Sequence, residues 1–206
     1  MKRILCYGDS NTWGYVPSGE GERYPRSICY PKVLASILGE EYEVIEEGLP
    51  GRTVIADNIK EFIGNRNGST YFTQAVYSHL PLDYILIMLG TNDLKESYNL
   101  TVKDLSKALE EYYIKPILAK LNGKIKNDPK IIVVAPAVIS KEAYDEFIHA
   151  YDKSIHFNEE YEALATKYNL LFVDNTGLVN GSDYIHLTSD SHLLLARKIA
   201  ETIINN

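Results

Sequence analysis

The sequence predicts a doubly wound (flavodoxin-like) α/β fold: a five-stranded parallel sheet with helices on both faces. Three observations predict it. Five short apolar runs alternate with helical patterns along the chain. Two of those runs, Ile85 to Leu89 and Ile131 to Val134, are apolar at every position, as strands covered on both sides must be. No repeat, low-complexity tract or linker interrupts the alternation, so residues 1–206 are expected to form one domain.

In order, the first strand is Ile4 to Tyr7, running straight into Gly8-Asp9-Ser10-Asn11-Thr12. A helix over Pro31 to Leu38 opens on proline and stops at Gly39. The second strand, Tyr42 to Ile45, leads into the glycine-bearing loop Glu47-Gly48-Leu49-Pro50-Gly51-Arg52-Thr53. The third, Tyr84 to Leu89, ends at Gly90-Thr91-Asn92-Asp93. A helix over Leu105 to Leu121 follows a capping-box-like start at Thr101 to Asp104. The fourth strand is Ile131 to Ala135. Glu142 to Tyr168 carries a largely helical pattern with a break near His156. The fifth strand is Leu170 to Val173, and a last helix, Thr188 to Ile204, begins on a Thr-Ser-Asp cluster suited to an N-cap.

Composition narrows the function. Hydrophobic residues make up 45% and charged residues 24%, ordinary values for a globular protein. A net charge of -7 with no basic stripe excludes nucleic acid as partner. No apolar segment approaches the roughly 20 residues of a membrane span. Cys6 lies inside the first strand and Cys29 is its only companion, so no disulfide framework is expected. The apolar run at residues 4–7 is too short for a signal peptide, and a cytoplasmic location is expected. The 16 tyrosines suit an interface if exposed, which makes a homo-oligomer a further expectation.

Four blocks carry chemistry. Ser10 stands where a buried strand delivers the chain to the surface, the place for a nucleophile, although most Gly-Asp-Ser triplets are simple turns. Asn92 follows the third strand and can aim an amide N–H at developing negative charge; an Asx turn would use the same residues. The loop around Gly51 can present a bare main-chain N–H, or be a plain strand-to-helix turn. Asp183 and His186, three residues apart, suit an orienting acid and a general base, or a surface acid and a structural histidine. Each block alone is ambiguous. Their convergence on the carboxyl edge of one predicted sheet favours the Ser-His-Asp reading.

Gly8-Asp9-Ser10, Gly51, Gly90-Thr91-Asn92-Asp93 and Asp183-x-x-His186 occur in the order of the SGNH, or GDSL-type, hydrolases, which the chain resembles from Ile4 to its last helix. Within that family, Gly8 to Tyr15, Val44 to Leu49 with Arg52-Thr53, His79 to Asp83, Ile87 to Asp93 and Gly181 to Thr188 resemble the arylesterase/acyltransferase branch. The chain departs from it at Asn11, where leucine is frequent, at Tyr15, where a second tryptophan can stand, and over Ala137 to His156.

The resemblance implies a serine esterase acting on short-chain esters of small molecules, with acyl transfer as a side activity and no metal or cofactor. It implies Ser10 as nucleophile, His186 as base and then acid, and Asp183 as its partner. The oxyanion donors would be the Ser10 and Gly51 main-chain N–H groups and the Asn92 amide. Asn11, Trp13 and Arg52 are candidate substrate contacts, with Arg52 otherwise pairing with Glu46 or Glu47. A carbohydrate O-deacetylase, or a lysophospholipase or thioesterase, would use the same triad. A phosphate-binding flavodoxin-like module would use only the Asp9-Ser10-Asn11-Thr12 loop and leave Asn92, Asp183 and His186 without a task.

Overall fold

The computed structural model describes residues 1–17 and 20–206. In chain order the elements are β1 (Lys2–Gly8), α1 (Ser10–Trp13), α2 (Tyr30–Leu38), β2 (Tyr42–Gly48), β3 (Ile59–Lys60), β4 (Gly64–Asn65), α3 (Gly68–Ser78) and β5 (Tyr84–Met88). Two 3-10 turns, Thr91–Leu94 and Glu96–Tyr98, lead to α4 (Val102–Leu109), which continues through a π-helical turn, Glu110–Ile114, into α5 (Lys115–Leu118). Then come α6 (Lys120–Gly123), β6 (Lys130–Val134), a 3-10 turn Asp145–Phe147, α7 (Ala150–Ser154), α8 (Phe157–Tyr168), β7 (Leu171–Val173) and α9 (Ser189–Ile204).

The main sheet has the order β2-β1-β5-β6-β7, and every pair in it is parallel. This is the flavodoxin-like order. Strand succession reverses at β1, so a crevice opens beyond the carboxyl ends of β1 and β5. Ser10 follows the first of these strands and Asn92 the second.

Alternation along the strands builds two cores. Leu5, Tyr7, Ile85, Ile87, Ile131 and Val133 face one side, with residues of α3, α4 and α8. Ile4, Cys6, Leu86, Met88, Ile132 and Val134 face the other, with residues of α2 and α9. Full burial of each such side chain contributes about 1.5–3 kcal/mol, which is why central strands must be apolar on both faces. Tyr7 and Tyr113 also carry hydroxyls into the core, where they donate to Gly68 O at 2.8 Å and Val54 O at 2.7 Å. Those bonds tie the loop after β2 to the core below it.

The predicted boundaries need several corrections. The second strand runs on to Gly48, because its pairing with β1 continues to Gly8. The helix expected over Leu105 to Leu121 starts at Val102, where Thr101 and Asp104 complete a capping box. The stretch from Glu142 becomes a 3-10 turn and α7 before α8 begins, and α8 has His156 at its N-cap. α3 and the β3–β4 hairpin lie outside the expected elements; α3 starts where Asn67 accepts from Ser69 N–H. Cys6 and Cys29 are buried and unpaired. Among the described residues, no helix is long and apolar enough to cross a membrane.

Candidate active site

β1 ends at Gly8, and Asp9 caps α1 by accepting from Asn11 N–H at 2.9 Å. The cap is buried, and burial raises the Asp9 carboxyl to about 6 against the pull of Asn11 N–H and the His186 charge. α1 lasts four residues because Gly14 takes the left-handed conformation at φ +92° and reverses the chain. A Cβ at Gly14 would also stand 2.2 Å from the Cys29 sulfur.

Ser10 begins this short helix, and its Oγ lies 2.9 Å from His186 Nε2. His186 Nδ1 lies 2.6 Å from Asp183 Oδ2. The other oxygen of Asp183 accepts the N–H groups of Ile185 and His186, at 3.0 and 2.9 Å. Burial raises the Asp183 carboxyl, but hydrogen bonds from the His186 ring and the two N–H groups outweigh it, leaving the pKa below its usual value. A carboxylate that accepts from Nδ1–H leaves Nε2 free to accept the Ser10 proton. The ring is further held by Tyr15, stacked on it with centroids 4.3 Å apart.

The expected oxyanion donors lie on the loops that follow β1, β2 and β5. Asn92 sits in the 3-10 turn after β5, and its amide donates to Arg52 O at 3.1 Å, leaving its second N–H without an internal bond among the described residues. Asp93 holds the neighbouring loop, accepting from Val54, Ile55 and Ala56 N–H at 2.7, 3.1 and 3.3 Å. Its burial raises the carboxyl to about 6, against those three bonds. Gly51 has φ +79°, and neither its N–H nor that of Ser10 bonds internally among the described residues.

The three candidate substrate contacts are placed differently. Arg52 turns inward and is buried, with Nη1 on Gly8 O and Glu47 O, its guanidinium over the Tyr7 ring and Nη2 3.9 Å from Glu47. It ties the β2 loop to β1 and does not line the cavity beside His186, so of the two expected roles the pairing with Glu47 is the one present. Asn11 is also buried, accepting from Leu187 N–H. Trp13 is half-buried, with Arg23 over its ring.

The cavity beside His186 has a volume of about 360 Å³ and is lined by Tyr15, Phe147, Ile185, Asp183 and the acidic rim of Tyr144-Asp145-Glu146. A larger one, about 640 Å³, opens between α3 and the turn after α5 and is lined by neither histidine nor carboxylate. Sequence reasoning did not single out Tyr15 and Tyr144 as site residues; the left-handed Gly14 before Tyr15 is the signal that the chain folds back. His79 pairs with Glu47 at 2.9 Å and His156 lies 3.6 Å from Glu159, both away from Ser10. Among the described residues no group of three or more His, Cys, Asp or Glu gathers as a metal site would.

The family model of the GDSL-like lipase/acylhydrolases matches residues 6–194. No protein among the curated sequences compared is close enough to count as a relative. Among solved structures, the aryl esterase of M. smegmatis shares 33% identity over 100% of this chain and 99% of its own, with a TM-score of 0.89. A carbohydrate acetylesterase from Sinorhizobium meliloti shares 32% over 100% and 99%, with a TM-score of 0.84. A carbohydrate acetylesterase family member from the same organism shares 29% over 98% and 97%, with a TM-score of 0.90. With its sheet order, its Gly-Asp-Ser turn and a family match across nearly the whole length, the chain belongs to the GDSL-like lipase/acylhydrolase family of ester hydrolases, in its arylesterase branch.

Proposed function

We propose that the protein is a serine esterase that cleaves short-chain carboxylic esters through an acyl-enzyme. The observation that carries this is the unbroken line Asp183 Oδ2 to His186 Nδ1 at 2.6 Å and His186 Nε2 to Ser10 Oγ at 2.9 Å. In this reading His186 takes the Ser10 proton as Oγ attacks the ester carbonyl, and the new oxyanion is met by Ser10 N–H, Gly51 N–H and the Asn92 amide. His186 then gives the proton to the leaving alcohol. Water, deprotonated by the same imidazole, releases the acid; an alcohol in its place gives acyl transfer.

The cavity beside His186 suits a small ester, since about 360 Å³ is near the lower end of ligand sites. A second reading, removal of acetyl groups from sugars, is supported by the likeness to two carbohydrate acetylesterases. The wall of Tyr15, Tyr144, Asp145 and Glu146 supports it too, since it offers ring faces and hydrogen-bond acceptors together.

Hydrolysis of p-nitrophenyl acetate, butyrate and octanoate by wild type and Ser10→Ala tests the proposal. Rates that fall with chain length and drop at least about 10³-fold in the variant are expected. Equal rates for the two proteins would sink the nucleophile assignment. An acetylated sugar tested beside the aryl acetate decides between the two readings of the alcohol side.

A further inference from the structure

Gly51 is the third residue of a turn closed by Arg52 N–H donating to Leu49 O at 3.0 Å. Proline stands second, and the glycine has φ +79°, which is the type II arrangement. Type I and type II turns differ by a flip of the central peptide, here Pro50–Gly51, and that flip decides where Gly51 N–H points. Proline suits the second position of both, and glycine is permissive in the third. The Pro-Gly pair favours type II, but residues 49–52 alone do not fix the orientation of the N–H.

Arg66 does. Its Nη1 donates to Pro50 O at 2.9 Å, the carbonyl of the peptide unit whose N–H belongs to Gly51. In a trans peptide the two groups point in opposite directions, so holding the oxygen from one side aims the N–H to the other. Nη2 donates to Asn58 Oδ1 at 2.7 Å, and Asn58 Nδ2 donates to Gly51 O at 2.7 Å. One guanidinium thus holds the peptide on each side of Gly51, the first directly and the second through an amide. It also fills the space of the missing side chain: a Cβ at Gly51 would stand 2.1 Å from Nη1. The turn is tied in turn to the nucleophile's strand, Leu49 N–H donating to Gly8 O at 3.2 Å.

Arg66 Nε is buried without a partner among the described residues, and burial lowers the guanidinium's pKa from its ordinary value. Buried polar groups left unsatisfied in an otherwise consistent fold concentrate where function needs them.

We propose that Arg66 is a positioning residue for the oxyanion donor at Gly51, locking the Pro50–Gly51 peptide so that its N–H faces the reacting carbonyl. Its charge on the Pro50 oxygen also polarises that peptide and strengthens the N–H as a donor. The inference rests on the esterase reading given above.

Arg66→Met keeps the aliphatic stem and removes the donors; Arg66→Lys keeps the charge and the donors of a single nitrogen. Turnover of p-nitrophenyl acetate is measured per active site, counted by titration with a serine-directed organophosphate, so lost folding is not mistaken for lost rate. Per-site kcat of Arg66→Met is expected to fall about 10- to 100-fold with KM within about twofold, short of the ~10²–10³-fold of removing a donor outright. The inhibition constant of a trifluoromethyl ketone, which forms an oxyanion on Ser10, is expected to rise by the same factor. Arg66→Lys is expected to recover most of both, and the Gly51 amide resonance to shift in the Met variant and return in the Lys variant. An unchanged per-site kcat in Arg66→Met overturns the proposal. A wild type without Ser10-dependent hydrolysis defeats the esterase reading instead. The Gly51 resonance then decides on its own: a shift in Arg66→Met upholds the hold on the peptide, and no shift overturns it.

Discussion

Asn11 Oδ1 accepts the main-chain N–H of Leu187 at 2.9 Å, a bond between residues 176 apart in sequence. Each partner is the next neighbour of a site residue, Ser10 on one side and His186 on the other. The bond therefore runs beside the 2.9 Å contact between His186 Nε2 and Ser10 Oγ and holds the two segments in register. Both partners are buried, so no water competes for it. A serine and a histidine from opposite ends of the chain meet because a buried amide fixes the distance between them.

Asn11→Leu keeps the volume and removes the acceptor, leaving the Leu187 N–H buried and unpaired. A loss of about 1–3 kcal/mol in unfolding free energy is expected. Since a misplacement of about 1 Å costs up to ~10²-fold, kcat/KM for p-nitrophenyl acetate is expected to fall by an intermediate factor of about 10, carried by kcat. Urea unfolding and steady-state kinetics on the same preparation check both. Unchanged kcat together with lost stability would make Asn11 a structural residue only.

Asp183→Asn tests the tautomer. The Asp183 oxygen that accepts two main-chain N–H groups must stay an oxygen, so the amide nitrogen of the variant faces His186 Nδ1. Nδ1 then becomes an acceptor, Nε2 carries the proton, and Nε2 can no longer take one from Ser10. A kcat loss of about 10³- to 10⁴-fold is expected with little change in unfolding midpoint. A loss below about tenfold would remove Asp183 from the mechanism as written.

Much of this site is legible in the sequence because strand ends in a doubly wound sheet are where ligands bind. The apolar runs locate those ends, and Ser10 and Asn92 each follow one within a few residues. His186 and Asp183 are readable as a pair from their spacing, but their contact with Ser10 depends on tertiary packing that spacing does not contain. The inward turn of Arg52 and the hold of Asn11 on Leu187 are equally invisible, because a polar side chain in a loop reads alike whether it faces solvent or the chain beneath. α3 escaped for a related reason. Its opening Gly68-Ser69-Thr70 has weak helix propensity, and the helix is held by the Asn67 cap and by packing of Phe72 and Val76 into the core.

Asp93 is the acid of the Gly-Thr-Asn-Asp block that does not face the reaction. Both of its oxygens accept main-chain N–H groups of the loop leading out of the Gly51 turn. Asp93→Asn replaces one acceptor by a donor that meets an N–H head on. A destabilisation of about 1–3 kcal/mol is expected, since one buried donor at least loses its partner. Asn92, the adjacent residue, is held to the same loop through Arg52 O, so kcat is expected to fall along with stability. Chemical denaturation at pH 7 checks the first effect and kinetics per titrated site the second; a variant as stable as wild type would show that the three bonds do not hold the loop.

His192 gives the protein an acid sensitivity of its own. The ring is fully buried among Tyr24 and Tyr30, accepts Tyr30 N–H through Nδ1 at 3.3 Å, and leaves Nε2 unpartnered among the described residues. Burial, with a smaller push from His186, lowers its pKa from 6.5 to about 4. Between those values the unfolded chain binds a proton that the folded one refuses, so the His192 contribution is intact above pH 6.5 and is lost as pH falls toward 4. At about 1.36 kcal/mol per unit the loss approaches about 3 kcal/mol. Asp9 and Asp93 act in the opposite sense: their pKa values are raised to about 6, so each adds stability as pH falls from 6 toward 4. The net curve of wild type therefore hides the histidine, and a difference exposes it. His192→Gln keeps an acceptor for Tyr30 N–H, removes the titrating ring and leaves both carboxyls in place. Unfolding free energies of wild type and variant, measured from pH 7 to 4.5, are expected to converge or cross as pH falls, wild type losing the more; parallel curves would show that His192 takes up its proton in the folded state.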